Sequence, residues 1–276
     1  MNVRRAPALC NLAGDTPPSV VPVPSSVSTR PSAAQREALR ARPAAAPVMF
    51  QRWQHLLFLH WAWDPAALQA TLPPGLFVDT HDDRAYLGVV PFWMDHVRPR
   101  FLPPVPGLSW FLELNLRTYV HTADGTPGVW FYSLDCNNHV AVALARSLFF
   151  LPYVFARQRG ERPGTPTSTA RFESRRPGGA ANTFAYAPAA PFAPSAAGTL
   201  DHFLAERYLL FSRRADGTLA SGRVWHTPYP LARARVHAAE TSLFADNGFA
   251  SPARPADHAH TSPGVDVSIF PLRRLS

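Results

Sequence analysis

Glu113, Asn115, Arg117 and Tyr119 recur at every second position of residues 110–121. A β-strand turns successive side chains to opposite faces, so these four share one face, while Leu112, Leu114, Leu116, Thr118 and Val120 share the other. Carboxyl, amide and guanidinium groups in that order can receive a small molecule by its carboxylate or carbonyl. Glu113 would move the proton and Arg117 would hold the anion. Along an extended strand Glu113 and Arg117 stand about 13 Å apart, so they make a wall and not an ion pair. In an open sheet such a polar face meets water; in a closed sheet covered on its outside it faces inward. A covered polar wall then requires a wet cavity or partners from neighbouring strands, because a buried, unpaired charge is costly.

Other candidates are scattered. Asp135 ends a strand just before a helix, where a carboxylate can cap the helix start or stand at a cavity rim. His226, at a strand end in WHTPYP, is a candidate general base or a histidine satisfied by backbone. Arg207 and Tyr208 follow an amphipathic helix; the guanidinium can bind a ligand carboxylate or pair with Glu206 or Asp201. His55 and His60 are five apart and point to opposite faces of a strand. His258 and His260 fall in a Pro/Ala-rich stretch with no third ligand nearby, so no metal site is expected. Gly-rich phosphate loops and G-x-S-x-G elbows are missing. All 27 cationic residues are arginines, which excludes any mechanism that needs a lysine amine. Cys10 and Cys136 form no framework and fit a reducing compartment.

These residues must be positioned by strands. The 30 prolines in 276 residues argue against long helices. Strands are expected over residues 52–61, 85–97, 110–121, 129–136, 167–173, 182–186, 208–213, 220–226, 232–239 and 265–270. Helices are expected over 65–71, 139–150 and 199–207, and hairpin turns at Asp124-Gly125 and Asp216-Gly217. The fold class that follows is α+β and β-rich, a single domain over 48–276 around a barrel or curved sheet. Residues 1–47 carry eight prolines and no aromatic residue, and read as a disordered tail except for a short helix within 33–42. The net charge of +8 is split evenly between that tail and the body, and no aromatic-plus-basic recognition motif accompanies it, so specific nucleic-acid binding is not expected. No apolar run is long enough to span a bilayer, and the opening residues lack an apolar signal core, so the expectation is a cytoplasmic protein without a membrane partner. Self-association into a homo-oligomer stays open.

Several segments in order, LHWAWDPAALQATLPPGLFVDT, RAYLGVVPFWM, PGLSWFLELNLRTYV, GVWFYSLDCNN, LFFLPY, HFLAERYLLFSR and SPGVDVSIFPL, resemble the YqjF-like domain of unknown function, in the acetoacetate decarboxylase-like superfamily. The resemblance covers roughly residues 50–272. It implies a closed, cone-shaped β-barrel with a few short peripheral helices and an active site in its lumen. It places the decarboxylase strand glutamate on Glu113 and the second glutamate within residues 135–138. The lysine pair falls on Tyr153 and Val154, so the Schiff-base nucleophile is gone. The resulting expectation is a lumen walled by Glu113, Asn115 and Arg117 and reached past Tyr153, Tyr208 and His226. It binds a small anionic or carbonyl-bearing metabolite without any cofactor. Glu113 and His226 are the candidate catalytic groups, and Asn115, Arg117, Tyr153, Arg207 and Tyr208 the candidate ligand contacts. Either lysine-independent lyase or isomerase chemistry or a non-catalytic sensing barrel fits.

Overall fold

The computed structural model describes residues 28–275. In chain order its elements are α1 (Ala33–Ala38), β1 (Met49–Trp63), α2 (Pro65–Gln69), β2 (Phe77–Val78), β3 (Ala85–Pro99), β4 (Phe111–His121), β5 (Pro127–Cys136), α3 (His139–Phe149), β6 (Tyr153–Phe155) and β7 (Arg157–Glu161). Then follow β8 (Ala170–Arg175), β9 (Ala181–Pro188), β10 (Ala193–Pro194), α4 (Leu200–Ala205), β11 (Leu209–Arg213), β12 (Leu219–His226), β13 (Pro230–Glu240), α5 (Leu243–Asp246), β14 (His258–Ile269) and β15 (Arg273–Arg274). Every expected strand and helix has a counterpart. Both Asp-Gly pairs are the hairpin turns between β4 and β5 and between β11 and β12, with Gly125 and Gly217 at positive φ. The β-rich α+β class is therefore as the composition implied.

Pairings run from β1 to β3, β4, β5, β11, β12 and β14, and β14 pairs back with β1. All are antiparallel except β5 with β11, whose parallel alignment needs the long crossover that carries α3 and α4. Strands β1 and β3 bend strongly to follow this circuit. The register shifts between Gln54 and Leu59, where His55 has φ 49°. Across from the bend lies Gly264, at φ 134°, where a Cβ would sit 2.1 Å from the Trp53 carbonyl oxygen; only glycine lets β14 approach there.

Both faces of the circuit are covered. Leu112, Leu114 and Leu116 of β4 join Leu57, Leu59 and Trp93 in a cluster completed by Phe172, Phe184 and Tyr186 from the β8–β9 layer. On the opposite face Phe58, Tyr86, Val90, Phe92 and Tyr119 form a second cluster with Phe203 of α4. All 11 residues of β4 are buried, so its polar face does not meet bulk water. Among the described residues no helix is long and apolar enough to cross a membrane.

Residues 28–47, expected as part of a disordered tail, pack on this body, so the expected boundary at residue 48 cuts through contacts. Helix α1 carries a capping box made by Ser32 and Gln35. Arg36 donates two hydrogen bonds to buried Asp79, at 2.7 and 2.6 Å. Arg223 donates to the carbonyls of Leu39 and Ala41, and Trp225 to that of Arg40. A polar composition did not announce this docking, because its partners lie in the body. Residues 1–27 lie outside the described residues. Deleting the chain through residue 47 is expected to lower the melting temperature cooperatively. Loss of the charge-assisted Arg36 bonds alone accounts for about 1.5–3 kcal/mol. Calorimetry of the truncated chain checks this, and an unchanged melting temperature would show the contacts to be idle.

Candidate functional site

A cavity of about 330 Å³ opens between the bent strands and α3, and Glu113, Asn115 and Arg117 all line it. The β4 alternation turns them inward together, and they are 3%, 3% and 8% exposed. Tyr153, delivered by β6 pairing parallel to β5, donates its hydroxyl to Glu113 Oε2 at 2.6 Å. Asn115 Nδ2 donates to Glu113 Oε1 at 3.1 Å, so the wall is knitted at one end. Burial raises the Glu113 carboxyl to about 7, although Tyr153, Asn115 and the Arg117 charge pull the other way. Burial, and then Glu113 itself, push the Tyr153 phenol well above its ordinary value, which keeps it a neutral donor.

Arg117 has no carboxylate partner among the described residues. Its Nη2 donates at 3.3 Å to the Leu204 carbonyl and at 3.4 Å to the Tyr119 hydroxyl, and its Nε has no partner. The guanidinium lies over the Phe58 ring at 5.5 Å. Asn115 Oδ1 is likewise buried without a partner. An unused donor and an unused acceptor thus belong to two residues that line one cavity, and buried polar groups of this kind call for a partner. Most of the remaining lining is apolar, with Trp53, Phe92, Phe111, Phe131 and Phe149 among it. At the mouth, Leu102, Val105 and Leu108 meet Val140 and Leu144 of α3, all exposed by 43% or more. That helix is capped by Asn138, whose Oδ1 accepts from Val140 and Ala141, and it buries only Val142.

Four expectations are corrected. His226 does not face the cavity: it is buried, its ring nitrogens meet the carbonyls of Thr227 and Arg207, and it stacks on Tyr208 at 4.5 Å. Burial holds its pKa below the ordinary histidine value, so it is a packed, neutral ring and no general base. Tyr208 spends its hydroxyl on Glu206, whose other oxygen accepts the Tyr229 backbone N–H. Arg207 does reach the cavity, but its Nη1 is bound to Asp79 at 2.7 Å and not to Glu206 or Asp201. Asp135, fully buried, neither caps α3 nor stands at a rim; it takes three hydrogen bonds of 2.7–3.1 Å from Arg176. Cys136 is buried, and burial pushes its thiol up to about 12, which makes it unreactive.

The sequence reading of the histidines is half right. His55 stacks edge-on to Trp93, while His60 meets Tyr119 on the other face, as their odd spacing requires. His258 and His260, however, open strand β14 and do have a third group beside them. Asp201 of α4 lies within 3.8 and 3.4 Å of the two rings. The i, i+2 spacing was the signal, masked by the surrounding prolines.

The closed circuit of strands is similar to the acetoacetate decarboxylase-like fold. The chain superposes on acetoacetate decarboxylase of Legionella pneumophila with a TM-score of 0.60 at 13% identity, over 84% of this chain and 88% of that one. It superposes on the enduracididine biosynthesis enzyme MppR, solved with pyruvate, with a TM-score of 0.61 at 15% identity, over 84% and 92%. These likenesses concern the fold alone. Over residues 50–266 the sequence matches DUF2071, described as an uncharacterized conserved protein, and the chain belongs to that family. It is 35% identical over 232 residues to the uncharacterized protein YqjF of Bacillus subtilis (strain 168), covering 83% of this chain and 93% of that one.

Proposed function

We propose that the strand circuit works as a closed, cone-shaped barrel whose lumen binds a small molecule with a carboxylate or carbonyl head and an apolar body. The observation that carries this reading is Arg117: a buried guanidinium, unpaired with any carboxylate among the described residues, on a residue that lines a largely apolar cavity. The head would accept from Arg117, Asn115 Oδ1 would accept from a hydroxyl or other donor on the ligand, and the body would run toward the aromatic lining and the α3 mouth. MppR, of similar fold, accommodates pyruvate, which agrees with a keto acid as the head group.

With its carboxyl raised to about 7, and so partly protonated near neutral pH, Glu113 would donate to the carbonyl oxygen while Arg117 takes the carboxylate. Drawing electrons onto that oxygen weakens a bond at the neighbouring carbon, which is lyase or isomerase chemistry without an imine. A second reading, a non-catalytic sensing barrel, is favoured by a specific observation. Among the described residues lining the cavity there is no second carboxylate and no histidine to complete proton transfer.

Titration calorimetry with medium-chain β-keto acids, beside mass-spectrometric monitoring of product, tests both readings. Arg117→Leu is expected to weaken binding by about 1.5–3 kcal/mol, roughly 10- to 150-fold, with the melting temperature nearly unchanged, because no buried carboxylate is orphaned. A large loss of stability with affinity intact would refute the anion site; binding without turnover selects the sensing barrel. Borohydride reduction in the presence of a β-keto acid is expected to leave residues 28–275 free of any adduct, since they contain no lysine.

A further inference from the structure

Asp201, His258 and His260 form a cluster that the lumen does not use. None of the three lines the cavity, although Ala205, one turn on from Asp201 in α4, does. Spaced i, i+2, the two histidines project from one face of β14, with rings 17° from parallel and centroids 5.8 Å apart. Asp201, in the first turn of α4, presents Oδ1 to His258 Nδ1 at 3.8 Å and Oδ2 to His260 Nε2 at 3.4 Å. One ligand atom from each residue lies within 4.8 Å of the others.

Those separations are longer than a direct N–H···O bond of about 2.7–3.2 Å. They suit atoms that share a cation. Two ligands 2.0–2.1 Å from a tetrahedral Zn²⁺ stand about 3.4 Å apart. Exposure grades across the cluster, from 8% at the His260 side chain through 26% at His258 to 42% at Asp201, leaving one side open for water to complete the shell. Arg233, opposite His260 on β13, is exposed, so solvent screens its charge. Opposite His258 on β1, and so on the same face, stands buried His60, whose Nδ1 has no partner; its ring lies against Gly88, where a Cβ would come within 3.0 Å.

We propose that Asp201, His258 and His260 bind one divalent transition-metal cation of the Zn²⁺ class. Two imidazoles and a carboxylate match that class, whereas Mg²⁺ and Ca²⁺ call for oxygen donors.

The test uses the full chain, stripped with a chelator and titrated with Zn²⁺ against a chromophoric competitor. One saturable equivalent is expected, together with a higher melting temperature. Asp201→Asn and His260→Ala should each weaken binding beyond the roughly 10- to 100-fold that loss of an outer partner brings. Co²⁺ should give visible d–d bands that both variants abolish. Asp201 is partly exposed, so Asp201→Asn reports even if His260→Ala fails to fold. No saturable binding, or Zn²⁺ binding that both folded variants retain, overturns the proposal.

Discussion

Glu113→Gln is expected to melt well above the parent protein at pH 8 and level with it at pH 4. The sign follows from the raised carboxyl. In the unfolded chain Glu113 titrates near its ordinary value, 4.5, and in the folded chain at about 7. Below 4.5 both states hold the proton and nothing is lost. As pH rises toward 7 only the unfolded state releases it, so the folded state loses relative stability up to the folded pKa. The full difference is on the order of 3 kcal/mol. Glutamine keeps an oxygen for the Tyr153 hydroxyl and has no charge to strip of water, so the variant avoids this loss. Ligand binding should follow the same titration. Affinity of the parent for an anionic β-keto acid falls above pH 7 as Glu113 ionises, while the variant stays flat. Thermal melts and calorimetry at several pH values check both, and identical melting at pH 8 would mean that water reaches the carboxylate freely.

What the sequence made legible is local. The alternation in β4 announced an inward polar face, and the structure places Glu113, Asn115 and Arg117 on the cavity wall. Strand runs, Asp-Gly turns and the amphipathic α3 pattern depend on neighbours within a few residues, and all could be read. Partners distant in the chain could not. Arg207 reads as an anion receptor or a neighbour's ion-pair partner because Asp79, its actual partner, is 128 residues away. Asp135 reads as a helix cap because Arg176 comes from beyond α3 and three further strands, while Asn138, three residues on, does the capping. His226 looks available at a strand end, yet Trp53, Tyr208 and Tyr229 close around it. The docking of residues 28–47 was hidden for the same reason: polar side chains that look solvated find buried partners only in three dimensions.

Asp79 joins Arg36 of the N-terminal segment to Arg207 on the cavity wall, and its replacement should have a large cost. Its side chain is 2% exposed and is bound by Arg36 and by Arg207, itself 5% exposed. Burial alone would raise this carboxyl, but the charge of Arg207 and the bonds and charge of Arg36 outweigh it and hold the pKa below the ordinary value. Asp79→Asn keeps the shape and leaves the Arg207 cation buried without its counter-charge, an arrangement that costs about 3–5 kcal/mol. Arg36→Met removes only the partly exposed partner and should cost less. Because the folded pKa is depressed, the Asp79 contribution is present above the unfolded value near 3.9 and lost as pH falls through the folded one. Parent and Asp79→Asn should therefore converge in stability on acidification and diverge above pH 4. The double variant Asp79→Leu/Arg207→Met removes both charges, and should recover much of the loss, since an apolar pair of similar volume avoids desolvating ions. Denaturant melts of the three variants at pH 3 and pH 7 decide the matter. A double variant as unstable as Asp79→Asn would mean that Arg207 holds α4 through its Phe203 contacts and not through its charge.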